Sequence, residues 1–140
     1  MNLAILRVSG DDDALVDIAK SLGLVICRKW NVGEVNRAGQ ARDKSSFNAE
    51  VVDAENREEL EKSIRVFLRE CQAKRISFAS AGLFAELDVG IGVGLEKQFT
   101  GGVGFTPSDL AIFGEIGLEL KVSAYPISND DEERESKSDT

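Results

Sequence analysis

Two carboxylates, Glu86 and Asp88, stand two positions apart in a stretch that is typical of a β-strand, residues 84–94. Side chains alternate between the two faces of a strand, so both acids point to one face. A pair of carboxylates on one surface can bind a divalent cation, exchange protons or attract a basic partner. The intervening positions are apolar and predict a buried opposite face: Ala85, Leu87, Val89, Ile91 and Val93.

Neighbouring strands are predicted to add polar side chains to the same face. Glu50 lies at a polar position of a strand over residues 45–53, whose apolar positions are Phe47, Ala49 and Val51. If helices cover the opposite side of the sheet, the acids gather on the open side as a mostly acidic surface. This surface is either an ordinary solvated sheet face or a site that binds a partner. The candidate residues are Glu50, Glu86, Asp88, Glu119 and Tyr125.

A further candidate for partner binding is Trp30, the only tryptophan of the chain. It follows Arg28 and Lys29 and precedes a loop over residues 32–44 that is rich in basic residues. Trp and Arg are frequent at the energetic centres of protein interfaces. The alternative is a partly buried core position, which is common for a single tryptophan.

No group of residues in the sequence matches a catalytic or cofactor-binding motif. The chain has no histidine, which excludes a Ser-His or Cys-His nucleophile. The glycines near residues 90–104 lack the spacing of phosphate-binding loops, and the acids at 11–13 lack calcium-loop spacing and predict a helix start. Cys27 and Cys71 lack metal-ligand spacing and are predicted to be small buried residues. We therefore predict no catalytic residue, metal or cofactor.

Length, charge and cysteine content predict a single cytoplasmic domain. A chain of 140 residues can bury a core without disulfides, and neither a secretory signal nor a membrane-spanning apolar run is visible. The formal net charge of −8 disfavours nucleic acid and favours a basic partner protein. Half of this net charge lies in residues 129–140, where six acids stand against two bases. We predict a domain over residues 1–127 and an acidic disordered tail over 128–140.

The hydrophobic pattern predicts the element order strand, helix, two strands, helix, strand, short helix, strand. Asn56 is the predicted N-cap of the longer helix, and Pro107 the first residue of the short one. Two long helices on one face of a mostly antiparallel sheet make a ferredoxin-like split βαβ sandwich of the α+β class. Here an extra short helix precedes the last strand. The pattern makes no prediction for residues 75–82 and 95–105.

Short motifs at both ends of this pattern resemble a bacterial family known as DUF 4279. The N-terminal motifs are Leu6-Arg-Val-Ser-Gly-Asp11, Leu22-Gly-Leu24, and Trp30 followed by Gly33-Glu34. The C-terminal motifs are Phe105-Thr-Pro-Ser-Asp-Leu110, Ile116-Gly-Leu-Glu-Leu120 and Tyr125. Phe47 departs from the family pattern, which has tryptophan at that place in the third strand. The resemblance covers roughly residues 3–126 and implies the fold, but it implies no reaction because the family has no established one.

Small size, negative charge and the lack of a catalytic constellation favour a non-enzymatic binding protein that covers a basic surface of its partner. Acidic immunity-type inhibitors cover the active sites of toxins in this way. The alternative is a small metal-dependent enzyme or ligand sensor that uses Glu86, Asp88 and Glu119 with a divalent cation. We expect a monomer or weak dimer, because an acidic face repels its own copy.

Overall fold

The computed structural model describes residues 1–94 and 100–127, which form an α+β fold with a five-stranded mixed sheet and three helices. The predicted tail over residues 128–140 lies outside the described residues. The strands are β1 (Asn2–Gly10), β2 (Ile26–Trp30), β3 (Ser45–Asp53), β4 (Phe84–Gly94) and β5 (Glu119–Ile127). The helices are α1 (Asp12–Leu22), α2 (Arg57–Ala73) and α3 (Pro107–Ile116).

The strands are arranged in the order β2-β3-β1-β4-β5. The pairings β2–β3, β3–β1 and β1–β4 are antiparallel, whereas β4 and β5 are parallel. Parallel neighbours need a connection that crosses back over the sheet, and α3 lies in that connection. β1 is the central strand, and its alternate residues Ala4, Leu6 and Val8 are buried.

All three helices pack against one face of the sheet. Their buried residues join the buried sheet residues in a single hydrophobic cluster, so the opposite sheet face carries no helix in the described part of the chain. The helical members of the cluster are Leu15, Ile18 and Leu22 of α1, Leu60, Ile64, Phe67, Leu68 and Cys71 of α2, and Ile112, Phe113 and Ile116 of α3.

The helix ends follow the capping residues that the sequence predicts. The side chain of Asn56 accepts a hydrogen bond from the backbone amide of Glu59, which satisfies a free donor at the start of α2. At α3, Thr106 and Asp109 form a reciprocal capping box around Pro107. Gly117, with φ 70°, ends that helix in the left-handed conformation that glycine adopts without strain.

Two details differ from the expectation or fill a gap in it. The register shifts between Ala4 and Ile5, so Val51 forms a β-bulge instead of continuing the face of Phe47. Residues 75–82 are neither helix nor strand, and buried Phe78 ties them down by donating its amide hydrogen to the carbonyl of Ile116 at 2.8 Å. None of the helices in residues 1–94 and 100–127 has the length and apolar character to cross a membrane.

Candidate functional site

Cross-strand partners project from the same face of a sheet, so the strand registers decide which predicted site residues share a surface. Glu86, for example, pairs with Arg7 on one side and with Glu119 on the other. All six predicted partner-binding residues fall on the face without helices, which we call the open face. It comprises Arg28 and Trp30 of β2; Ser46, Asn48 and Glu50 of β3; Leu3, Ile5, Arg7 and Ser9 of β1; Phe84, Glu86, Asp88, Gly90 and Gly92 of β4; and Glu119, Lys121, Ser123 and Tyr125 of β5.

Glu86 and Glu119 are like-charged neighbours on adjacent parallel strands. Neither carboxylate makes a hydrogen bond or ion pair with any residue of the described chain. Like charges placed directly opposite each other in a sheet destabilise it. The repulsion between the two carboxylates therefore lowers the stability of the free protein, and an external cationic group would offset it.

Asp88 has a different role from Glu86, although the sequence places both on one face. Its Oδ2 accepts hydrogen bonds from Nε and Nη2 of Arg7 at 3.3 and 3.0 Å, and its side chain is only 11% exposed. In the amide orientation that satisfies both of its ends, Asn48 accepts a further hydrogen bond from Arg7 Nη1 at 2.8 Å. Asp88 thus holds Arg7 in place and has little surface for a partner.

Tyr125 and Glu50 lie away from the paired glutamates. Tyr125 rests over Gly90, where an added Cβ would lie 3.3 Å from its Cε2 atom. The glycine therefore lets an aromatic ring lie close to the backbone of β4. Glu50 is exposed across from Ile5, which separates it from Asp88 by one strand.

Trp30 lies at the opposite end of the open face, and two arginines contact its ring. The guanidinium carbon of Arg28 is 5.2 Å from the ring centroid, and that of Arg42 is 4.8 Å away. Both distances are within the range of cation–π attraction. Neither arginine forms an ion pair within the described residues, and the buried Nε of Arg42 has no hydrogen-bond partner there.

Arg42 reaches Trp30 because the predicted loop over residues 32–44 folds back on itself. Val35 and Ala41 form an isolated antiparallel bridge, and the Asn36 side chain accepts hydrogen bonds from the amides of Ala38 and Gln40. Asparagine stabilises tight turns through such contacts. The loop is thus a short hairpin that places Arg42 against Trp30 at the edge of the sheet.

Glycines 101, 102 and 104 belong to a connection that α2 holds against the fold. Arg57 donates from Nη1 to the carbonyl of Gly102 at 2.6 Å, from Nη2 to that of Gly92 at 3.2 Å, and from Nε to the Asn2 side chain at 3.0 Å. A Cβ at Gly101 would lie 3.3 Å from Arg57 Nη1. Gly101 therefore allows a close approach of the arginine.

A second arginine of α2 completes what we call the α2–α3 junction: Arg57, Arg65, residues 101–106 and Asp109. Arg65 Nε donates to Asp109 Oδ2 at 3.0 Å, and Nη2 donates to the carbonyl of Gly104 at 3.3 Å. The same Asp109 oxygen accepts from the amide of Thr106 at 2.9 Å. The Thr106 amide, together with Arg65, holds the pKa of the buried Asp109 carboxyl below its ordinary 3.8.

The two cysteines and the acids at residues 11–13 have little connection with the open face. Cys71 is buried as predicted, and burial, aided by Glu70, raises the pKa of its thiol to about 12. Cys27 is exposed, so its predicted burial is wrong; it lies on the edge strand β2 at a register shift. The acids at 11–13 are exposed, and within the described ranges no three His, Cys, Asp or Glu residues are grouped so that they could hold a metal ion.

The sequence analysis did not single out two residues of the candidate site, Arg7 and Arg42. Arg7 is the one charged residue in the otherwise apolar run Leu3 to Val8 of β1. A charge in such a run is itself a signal that one face is open. Arg42 is visible only as one of several basic residues in a loop, and its return to Trp30 depends on the hairpin.

Comparisons with family models, with curated proteins and with solved structures give no significant match to this chain. The function is therefore inferred from the geometry of the chain itself.

Proposed function

We propose that the protein is a non-enzymatic binding protein whose open face covers a basic surface of a partner protein. The observation that supports this most directly is the juxtaposition of Glu86 and Glu119, neither of which forms an ion pair within the described chain. A lysine or arginine of the partner would lie between the two carboxylates and remove their repulsion. Binding would then convert an unfavourable contact of the free protein into an attractive one.

The other charges of the open face are arranged around this pair. Arg7 lies across from Glu86, but its ion pair is with Asp88. Glu50 extends the acidic surface to β3. Lys121 lies on β5, directly across from Asp88. The net charge of −8 would speed the encounter with a basic partner and repel nucleic acid.

We propose, more specifically, an immunity-type inhibitor that acts in the cytoplasm as a monomer or weak dimer. A toxin with a basic active site is the partner chemistry that an acidic face fits. Both cysteines are free, which agrees with a reducing compartment. Self-association through the open face would place acids against acids, which opposes a tight dimer.

We also propose that the first four strands with α1 and α2 form a ferredoxin-like split βαβ unit. The antiparallel order β2-β3-β1-β4 supports this assignment. In this view, α3 and β5 are an addition at one edge of the unit. The addition matters for function because β5 carries Glu119 to the side of Glu86.

The test is a comparison of partner affinity between two double variants with the same change in net charge. Glu86→Lys with Glu119→Lys reverses the open face, whereas Asp17→Lys with Glu58→Lys reverses two exposed acids on helices. The partner is first captured from the source cell with the wild-type protein and then purified. Breaking an interfacial charge pair costs about 2–5 kcal/mol, so the open-face variant should bind at least about thirtyfold more weakly.

The helix variant should retain affinity within a few fold, and both variants should melt cooperatively. Equal weakening of the two would mean that overall charge governs binding. Unchanged affinity of the open-face variant would place the interface on another surface. Either result contradicts the assignment of Glu86 and Glu119.

A further inference from the structure

The Trp30 end of the open face forms a cleft with a polar floor and aromatic walls. Trp30, Ser46, Ser9 and Phe84 pair in one row across four adjacent strands. The two serines lie in the middle, and the two aromatic residues stand at the ends, three strand spacings or about 14 Å apart. The cleft has a volume of about 200 Å³. Its lining residues are Arg7, Val8, Ser9, Trp30, Ser46, Phe47, Asn48 and Phe84.

Positive charge is concentrated at one end of this cleft. Arg28 and Arg42 lie against the Trp30 ring that forms the wall, and Arg7 lines the cleft itself. Arg7 is neutralised by Asp88, but neither Arg28 nor Arg42 pairs with a carboxylate in the described part of the chain. The buried Arg42 Nε also lacks a hydrogen-bond partner there.

The floor offers hydrogen-bond donors as well. The side-chain hydroxyls of Ser9 and Ser46 make no hydrogen bond within residues 1–94 and 100–127. Both residues are half-buried. A hydroxyl can turn its proton towards an oxyanion, so the floor complements an acceptor that sits above it.

We propose that this cleft binds a small organic anion that carries a carboxylate or phosphate on a single aromatic ring. The anionic group lies at the Trp30 end, near Arg42 and Arg28, and its oxygens accept from the serines. The ring packs against Phe84, which is 48% exposed and offers an aromatic surface. Drug-sized ligands occupy pockets of about 300–1,000 Å³, so a cleft of 200 Å³ suits one ring. This site goes beyond the proposed partner surface and can be tested without the partner.

The experiment uses the intrinsic fluorescence of the full chain, because Trp30 is its only tryptophan. Phenyl phosphate and benzoate are titrated separately and distinguish a phosphate from a carboxylate ligand. Benzyl alcohol supplies the ring without charge, and inorganic phosphate supplies the charge without a ring. A saturable change with at least one organic anion, at tenfold or more lower concentration than with either control, is the expected result. Equal responses to the anions and to benzyl alcohol would overturn the proposal.

Variants then connect the response to the cleft. Phe84→Ala leaves the surroundings of Trp30 intact, and it should weaken the anion about tenfold. Arg42→Ala should weaken it at least as much, measured by calorimetry because this change alters the emission of Trp30 itself. Arg37→Ala is the matched control, an exposed arginine of the same hairpin that does not contact Trp30. Equal affinities of the Phe84, Arg42 and Arg37 variants would place binding elsewhere and refute the assignment.

Discussion

The α2–α3 junction and the open face use their charged residues in opposite ways. At the junction, Arg65 and Asp109 contact each other directly, and each also binds backbone groups of the connection before α3. On the open face, Glu86 and Glu119 lie side by side, and neither forms an ion pair within the described chain. Both regions carry acids on regular secondary structure, but the junction pairs Asp109 with an arginine, whereas the two glutamates form no ion pair within the described chain.

This difference separates charges that stabilise the fold from charges that are available to a partner. A buried acid with well-placed donors contributes to stability, and its removal leaves donors unsatisfied. An acid that forms no ion pair and lies beside another acid contributes nothing favourable to the free protein. Asp88 lies between these cases, because it shares the open face with Glu86 but pairs with Arg7.

The largest effect should come from the junction. Replacement of Asp109→Ala removes half of the capping box and leaves Arg65 with only its longer, 3.7 Å ion pair to Glu61. We expect the free energy of unfolding to fall by about 2 kcal/mol, the sum of a lost cap and a broken, partly buried ion pair. Ser108→Ala, an exposed change in the same helical turn, should stay within about 0.5 kcal/mol of the wild type. Urea denaturation of both variants measures the free energy of unfolding. An equal decrease in both variants would show that the junction does not stabilise the fold.

The contribution of Asp109 should also depend on pH. Its pKa is lower in the folded protein than its ordinary value of 3.8, so the folded state binds this proton more weakly. The stabilisation is therefore complete above the ordinary pKa and is lost as the pH falls through the folded pKa. The stability gap between wild type and Asp109→Asn should be constant above about pH 5 and shrink below pH 3.8. A stability difference between the two proteins that increases as the pH falls would contradict this prediction.

Much of the fold follows from local patterns in the sequence. The capping residues Asn56, Thr106 and Asp109, with Gly117, mark helix ends, and the alternation along β4 marks a strand with one buried face. These signals depend on near neighbours in the chain. The bulge at Val51 and the exposure of Cys27 depend instead on how β3 pairs with its two neighbours, which no local pattern contains.

The candidate site could be predicted only as a set of residues on one face. Strand parity places Glu86 and Asp88 together, but it cannot show that Arg7 of a distant strand pairs with one of them. The juxtaposition of Glu86 with Glu119 depends on the parallel register of β4 and β5. The contact of Arg42 with Trp30 depends on a hairpin that returns to the sheet. Such contacts come from tertiary structure.

The most direct test of the contrast between the two regions needs no partner. Glu86→Gln and Glu119→Gln each remove one member of the like-charged pair and keep its size. We expect each variant to be more stable than the wild type by about 0.2–1 kcal/mol, because the repulsion disappears, and the double variant to gain little more. The gain should shrink at high salt, which screens exposed charges.

The control is Glu50→Gln, opposite Ile5, which should leave the free energy of unfolding unchanged. Lower stability of both Gln variants would show that the two carboxylates support the fold, and would contradict their role as charges available to a partner.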